Sequence, residues 1–125
     1  MIEETFRYSE TYTLIAQDLG VNNTFLGFMM GSFLGDAAEL YAIAVEENFK
    51  RTGIGSALLE NFMEEAVSLN VRSIFLEVGE TNERALAFYK SYGFEKLSKR
   101  KNYYLNSQTD DGPIFTDAVV LRKNL

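Results

Sequence analysis

The segment Lys50–Ser56 reads KRTGIGS and lies between two apolar runs of different period. Leu40–Val45 before it (LYAIAV) has the composition of a buried strand, and Ala57–Leu69 after it has the spacing of an amphipathic helix. A strand, a basic turn with glycines and a helix, in that order, can cradle a phosphate group. Backbone N–H groups at a helix N-terminus point outward, and glycine lets an anion approach them. Taken alone, the segment predicts only that a phosphate binds near the start of this helix.

The composition predicts one domain over residues 1–125 and limits its chemistry. The chain has 125 residues, of which 46% are hydrophobic, enough for one core. It contains no cysteine and no histidine. This excludes disulfides, thiolate or imidazole metal sites and Ser-His-Asp hydrolysis, so no metal is expected. Acid–base chemistry must therefore come from Asp, Glu, Tyr, Lys or water.

The formal net charge of −6 argues against nonspecific nucleic-acid binding, which needs a basic surface. A cationic or amine-bearing partner suits an acidic surface better, although the charge is equally consistent with simple solubility. No run approaches the roughly 20 apolar residues of a membrane span. Met1–Thr5 also lacks the pattern of a secretory signal. We therefore expect a cytoplasmic protein with neither a nucleic acid nor a membrane as partner.

The order of apolar runs predicts an α+β fold. Short apolar runs bounded by turn residues predict strands at 12–16, 24–33, 39–45, 73–78, 94–104 and 114–121. Helical spacing predicts helices at 55–69 and 83–92. The polar segment Asn106–Pro113 is predicted to be an exposed hairpin loop. Together these elements predict a mixed, mostly antiparallel central sheet with flanking helices. On the first helix, the residues expected on the apolar face are Leu58, Leu59, Phe62, Met63, Ala66 and Val67.

Glu77 is an acid within an otherwise apolar strand, Ser73–Val78. Alternation along a strand puts Phe75 and Glu77 on one face, so Glu77 can simply be an outward-facing or edge residue. Alternatively, its carboxylate lies at the C-terminal end of the strand and acts as a general base. The strand pattern leaves both interpretations open.

Several other polar and aromatic residues have both a structural and a functional interpretation. Tyr89 can be a core aromatic or a phenol that donates a proton to a leaving thiolate. Asn82 can cap the second helix or bind a ligand near the strand end. Tyr103 and Tyr104 can be strand aromatics or part of a substrate pocket. Lys50 and Arg51 can be ordinary surface charges, but because two glycines follow closely we expect them to pair with phosphate.

Two motifs in the right order resemble those of the GNAT acetyltransferase superfamily. The first, Q/R-x-x-G-x-G/A after a strand, reads here KRTGIG at Lys50–Gly55, with lysine at the first position. The second reads NERALAFY at Asn82–Tyr89, followed by Tyr92–Phe94. Within the superfamily the chain most resembles the RimI type, the ribosomal-protein-alanine N-acetyltransferases. The segments that carry this closer resemblance are Tyr41–Val45, Leu76–Val78, Asn102–Tyr104 and Asp117-Ala118.

The resemblance implies acetyl-CoA as the acetyl donor and gives roles to individual residues. The pantetheine arm would bind as an added strand along Ile43, Ala44 and Val45. Glu77 would deprotonate the acceptor ammonium, Tyr89 would protonate the departing coenzyme A thiolate, and Asn82 would contact the cofactor. Direct attack by the amine needs no enzyme nucleophile. The loop residues that would hold the pyrophosphate are Arg51, Thr52, Gly53, Ile54, Gly55 and Ser56.

The acceptor implied by the closer resemblance is the N-terminal α-amino group of a protein. Two alternatives stay open: a GNAT enzyme acting on a small amine or a lysine side chain, and a catalytically weak acyl-CoA-binding module. The presence of both Glu77 and Tyr89 favours an enzyme.

The family also has a strand and one or two helices before the strand that here contains Tyr12. Only about ten residues precede Tyr12 in this sequence. A misassigned start, a truncated sequence or a natural reduction would each explain the difference. We therefore expect an N-terminally shortened fold in which Met1–Tyr8 forms at most a remnant helix. The apolar surface left uncovered would favour a homodimer.

Overall fold

The computed structural model describes residues 2–8, 11–20, 22–50 and 52–125, and of residues 2–8 and 102–109 the backbone alone. No helix in these ranges is long and apolar enough to span a membrane. In chain order the elements are β1 (Ile2–Tyr8), β2 (Thr11–Asp18), β3 (Thr24–Leu34), β4 (Ala37–Val45), a 3₁₀ turn (Glu47–Phe49), α1 (Ile54–Ser68), β5 (Ser73–Gly79), α2 (Glu83–Ser91), β6 (Glu95–Thr109) and β7 (Gly112–Asn124).

The chain divides into two compact units. The first runs to Ile74 and includes Leu125, and the second covers Phe75–Asn124. In the first unit, β1, β2, β3 and β4 follow one another in the sheet, and each neighbouring pair is antiparallel. These four strands form an antiparallel meander, and the three strands predicted in this part of the chain are confirmed as β2, β3 and β4, with boundaries within two residues of those expected.

Helix α1 packs on the meander of the first unit and contacts β2, β3 and β4. Its buried residues recur with helical period and are Ile54, Leu58, Leu59, Phe62 and Ala66. Val67, which was predicted to belong to this apolar face, is 60% exposed, so that prediction is wrong. Val67 follows the buried Ala66, and the turn of 100° between successive helix residues directs its side chain toward solvent.

A close approach between α1 and β3 depends on Gly31. A Cβ atom at Gly31 would lie 2.8 Å from the Phe62 ring and 2.6 Å from the Glu39 carbonyl oxygen. Without that atom, Phe62 becomes fully buried and stacks on Phe33 at a centroid distance of 5.0 Å. Tyr12 adds an edge-on contact to Phe33 at 5.4 Å. This aromatic cluster anchors the helix that follows the glycine loop.

The N-terminal segment forms a strand, so the predicted remnant helix is wrong. Strand β1 pairs antiparallel with β2 from Ile2 opposite Ala16 to Tyr8 opposite Thr11. Only residues 9 and 10 separate the two strands in sequence, and neither is Gly, Pro or Asn. Without such a turn signal the hairpin is not visible in the sequence. The ladder with β2 is what stabilises the extended conformation.

In the second unit the strand order is β5-β7-β6, with β6 and β7 antiparallel. The predicted loop over Asn106–Pro113 is wrong, because Thr109 pairs with Gly112 and Asp110-Asp111 alone connects the strands. Turn-forming side chains do not prevent backbone pairing once the neighbouring strand supplies partners. The predicted α+β class, with a mostly antiparallel sheet and flanking helices, is confirmed.

Candidate functional site

The glycine loop of the first unit ends at Gly53, directly before α1. Gly53 has φ of +87°, a left-handed conformation that glycine adopts without steric cost. A Cβ atom added there would meet no atom within 4 Å, so the space in front of Gly53 is open. The first N–H groups of a helix have no intrahelical acceptor, and the first turn, Ile54–Ala57, carries no acidic side chain to occupy them. An anion can bind these groups.

The side chains next to Gly53 hold the loop against the preceding 3₁₀ turn. The Thr52 hydroxyl donates a hydrogen bond to the Phe49 carbonyl oxygen. Lys50, predicted to pair with phosphate, instead lies 2.9 Å from Glu47 Oε2, and both side chains are exposed. An exposed pair of this kind is weak, so a phosphate can compete for Lys50. Arg51 lies outside the described residues.

The C-terminal half of β4 lies against β3 in the same unit. Ile43, Ala44 and Val45, the predicted pantetheine strand, stand opposite Met29, Phe28 and Gly27. A Cβ atom at Gly27 would lie 2.5 Å from the Ala44 carbonyl oxygen, so only glycine permits this spacing.

A bulge precedes this half of β4. Met30 pairs with Ala42 but Gly31 pairs with Leu40, which leaves Tyr41 as the extra residue. The Tyr41 hydroxyl lies 2.7 Å from Ser32 Oγ. Nothing in the sequence indicates this bulge, because Tyr41–Val45 has the pattern of an uninterrupted strand.

Strand β5 in the second unit places Glu77 as alternation predicted. Leu76 and Val78 are buried, whereas Phe75 and Glu77 share the less buried face. The Glu77 side chain is 23% exposed, and its Oε1 accepts a hydrogen bond from Arg100 Nη1 at 2.7 Å. Among the side chains that the structure describes, Arg100 is the one partner of this carboxylate. The sequence did not predict the pair, because 23 residues separate its members.

A second ion pair fixes the turn that follows β5. Lys99 Nζ donates to Glu80 Oε1 at 3.0 Å and lies 3.8 Å from Asp117 Oδ2. The hydrogen bond to Glu80 raises the pKa of Lys99, and the charges of both carboxylates act in the same direction. The Glu80 N–H also donates to the Asp117 carbonyl oxygen at 2.8 Å. The end of β5 is thereby held to β6 and β7.

Helix α2 begins at the predicted cap. Asn82 Oδ1 accepts a hydrogen bond from the Ala85 N–H at 3.2 Å, so the capping interpretation of Asn82 is confirmed. The two N–H groups of its amide can still donate to a ligand.

Tyr89 is a core aromatic of the second unit, with 9% of its surface exposed. Its ring makes edge-on contacts with Phe88 at 5.1 Å and Phe94 at 5.6 Å. Burial raises the pKa of Tyr89 to about 12. The phenol therefore stays protonated throughout the neutral pH range, where it can donate a proton but cannot act as a base.

The predicted site residues fall into two groups, one in each unit. The first unit contains the predicted pantetheine strand, Ile43–Val45, and residues 52–56, of which the last three form the first turn of α1. The second unit contains Glu77, Asn82 and Tyr89. The side chains of Tyr103 and Tyr104, which could line a substrate pocket, lie outside the described residues.

Comparison with known proteins assigns the family. The model of the acetyltransferase (GNAT) family matches residues 2–94, which include both the glycine loop and α2. This chain belongs to the GNAT acetyltransferase family. The GNAT resemblance predicted from the sequence is confirmed, and with it acetyl-CoA as the donor.

Relatives of this GNAT acetyltransferase include enzymes that acetylate protein N-termini. The [ribosomal protein bS18]-alanine N-acetyltransferase of Escherichia coli K12 is 34% identical over 119 residues, 95% of this chain and 77% of the relative. The crystal structure of the E. coli ribosomal-protein-S18-alanine N-acetyltransferase matches with a TM-score of 0.80 at 30% identity, over 94% of this chain and 71% of that one. An N-alpha-acetyltransferase of Sulfolobus acidocaldarius is 33% identical over 70 residues, 55% of this chain and 42% of the relative. The predicted likeness to the RimI type is confirmed.

The buried phenol of this acetyltransferase makes its stability depend on pH. An unfolded chain ionises tyrosine with a pKa near 10, whereas folding raises the pKa of Tyr89 to about 12. Between these values the unfolded chain releases a proton that the folded chain keeps, so the free energy of unfolding falls as pH rises. The contribution of the protonated Tyr89 to the free energy of unfolding is complete below a pH near 10, the pKa in the unfolded chain. It is lost as the pH rises through about 12, the pKa in the folded chain.

Tyr89→Phe removes this ionisation. Between pH 9 and pH 11 the wild type should lose about 1 kcal/mol more unfolding free energy than Tyr89→Phe. Urea unfolding of both proteins at the two pH values measures the difference. Equal losses in the two proteins would contradict the effect of burial on Tyr89.

Proposed function

We propose that this acetyltransferase transfers the acetyl group of acetyl-CoA to the N-terminal α-amino group of a protein, of the ribosomal-protein-alanine type. The observation that carries the proposal is the identity of 34% to the bS18-alanine enzyme over 95% of this chain. A ribosomal-protein acceptor would place the reaction in the cytoplasm.

The donor is bound, in this proposal, by two segments of the first unit. The pyrophosphate lies against the N–H groups of the loop Arg51–Ser56 at the start of α1, where a helix favours an anion. The open space in front of Gly53 and its left-handed backbone support this placement. The pantetheine arm runs along Ile43–Val45 and pairs with its backbone as an added strand. Asn82 contacts the cofactor through its amide.

The reaction is direct attack by the acceptor nitrogen on the thioester carbon. Glu77 takes a proton from the acceptor ammonium, directly or through a water molecule. The attacking nitrogen loses its second proton to water as the C–S bond breaks, and Tyr89 donates a hydrogen bond to the departing thiolate. A phenol pKa of about 12 lies above that of a thiol, near 8.5. Hydrogen bonding that stabilises the thiolate is therefore favoured over complete proton transfer from Tyr89.

Homodimer formation stays a prediction with a weaker basis than the sequence suggested. It was expected because a strand and one or two helices were predicted to be missing before Tyr12, which would leave apolar surface uncovered. Strand β1 occupies the edge next to β2 and supplies one of the elements expected to be absent.

The choice of acceptor can be tested with three matched amines. A peptide that begins with Ala-Arg should release coenzyme A from acetyl-CoA, whereas the same peptide acetylated at its N-terminus but carrying a lysine should not. A small amine should react far more slowly. Release of the coenzyme A thiol is measured in each case. Turnover of the lysine or the small amine alone would favour the second acceptor class, and binding of acetyl-CoA without any turnover would favour a binding module.

The placement of the pyrophosphate can be tested with Gly53→Glu. A carboxylate in the open space beside Gly53 adds bulk and negative charge, so the affinity for acetyl-CoA should fall at least about tenfold. Gly35→Glu is the matched control, because Gly35 also has a positive φ and open space around its Cβ position. Both variants bear a similar backbone strain of about 1 kcal/mol. Calorimetric titration that gives equal affinities in both variants would place the pyrophosphate elsewhere.

The role of Glu77 can be tested with Glu77→Gln. Loss of a general base should lower kcat by about 100-fold at neutral pH and leave acetyl-CoA affinity unchanged. The deficit should shrink as pH rises past about 8, where an α-amino group deprotonates unaided. Glu80→Gln removes a nearby carboxylate that pairs with Lys99 and is the control. A kcat equal to the wild type at every pH would rule out this role of Glu77.

A further inference from the structure

The carboxylate proposed as the base is already occupied by a cation of the same unit. Arg100 Nη1 lies 2.7 Å from Glu77 Oε1, and the two side chains are 52% and 23% exposed. The inference that follows rests on the proposed function, because it concerns how Glu77 receives the acceptor.

Arg100 and the acceptor ammonium carry the same charge and compete for the Glu77 carboxylate. A guanidinium stays charged at every pH an enzyme meets, and the acceptor arrives as an ammonium ion. Both cations are attracted to the Glu77 carboxylate, and they repel each other when they are in contact. An ammonium that approaches Oε1 therefore competes with the guanidinium for this oxygen.

The geometry of the pair suits release rather than permanent orientation. Arg100 makes one N–H contact to Glu77, not the two-bonded fork by which arginine holds a carboxylate rigidly. The Arg100 side chain is also half exposed, and ion pairs of this kind contribute little free energy. Breaking this one contact with Glu77 therefore costs little free energy.

The backbone beside Arg100 is irregular as well. Arg100 pairs with Ala118, but the next recorded pair is Tyr104 with Thr116, so residues 101–103 of β6 oppose Asp117 alone. Such bulges interrupt the ladder and re-aim the side chains next to them. Arg100 is the last residue of β6 in regular register before this interruption.

We propose that Arg100 occupies the position of the acceptor ammonium on Glu77 and is displaced when the acceptor binds. Arg100 is then a positioning residue that keeps the carboxylate in place between turnovers. It also competes with the acceptor, and so raises the acceptor KM without taking part in the chemical step.

Arg100→Gln tests the competition. With no guanidinium on Glu77, the acceptor KM for the Ala-Arg peptide should fall about two- to fivefold, the range that the worth of an exposed ion pair allows, with kcat within twofold of the wild type. Arg100→Lys keeps a cation and should retain a KM within about twofold of the wild type. Lys101→Gln removes the same charge one residue further along and should leave KM unchanged. Acetyl-CoA affinity and melting temperature are measured for each variant.

Every outcome of this experiment decides something. A lower KM in Arg100→Gln alone supports the proposal. An unchanged KM, an equal fall in Lys101→Gln, or a higher KM with reduced kcat would overturn it, the last by assigning Arg100 a purely orienting role. A wild-type protein that binds acetyl-CoA but acetylates no peptide would overturn the proposed acceptor and, with it, the displacement of Arg100. Turnover without any change in KM would overturn this inference alone.

Discussion

The left-handed backbone of Gly53, with φ of +87°, sets where α1 begins and therefore which side of the helix faces the sheet. A helix turns 100° per residue, so its first residue fixes the direction of all later side chains. Starting at Ile54, the helix buries Leu58, Leu59 and Phe62 completely. Phe62 then reaches Gly31 on β3, where any larger residue would clash. The same turn leaves the first N–H groups of the helix for a ligand, so core packing and the proposed pyrophosphate site depend on one dihedral angle.

The second unit gives its two candidate proton-transfer groups opposite surroundings. Tyr89 is enclosed by aromatic rings, and burial raises the pKa of its phenol to about 12, which keeps the donor form. Glu77 stays partly exposed and is charge-paired with Arg100. A phenol that can donate a proton and a carboxylate that can take one are the two groups that an amine acetylation by direct attack uses. These surroundings arise from burial and ion pairing.

Local signals predicted most of the fold and part of the candidate site. The cap at Asn82 and the strand–turn–helix order around Gly53 depend on residues close together in sequence, and both are as predicted. The hairpin of β1 and β2 has no turn signal in its sequence, so the hairpin was not predicted. The polar end of the β6–β7 hairpin pairs despite its loop-like composition, because its backbone finds partners across the strand. The composition of a short segment does not show which backbone groups the fold will bring next to it as hydrogen-bond partners.

By itself the sequence determined the family, the donor and the elements that carry the two motifs, because glycines, caps and apolar period act over a few residues. Only the tertiary structure decided the surroundings of the two groups proposed to transfer protons. It brought Arg100 to Glu77 across 23 residues of chain, and it removed Tyr89 from solvent. Ion pairing and desolvation depend on distances through space, and a linear pattern of residues does not contain those distances.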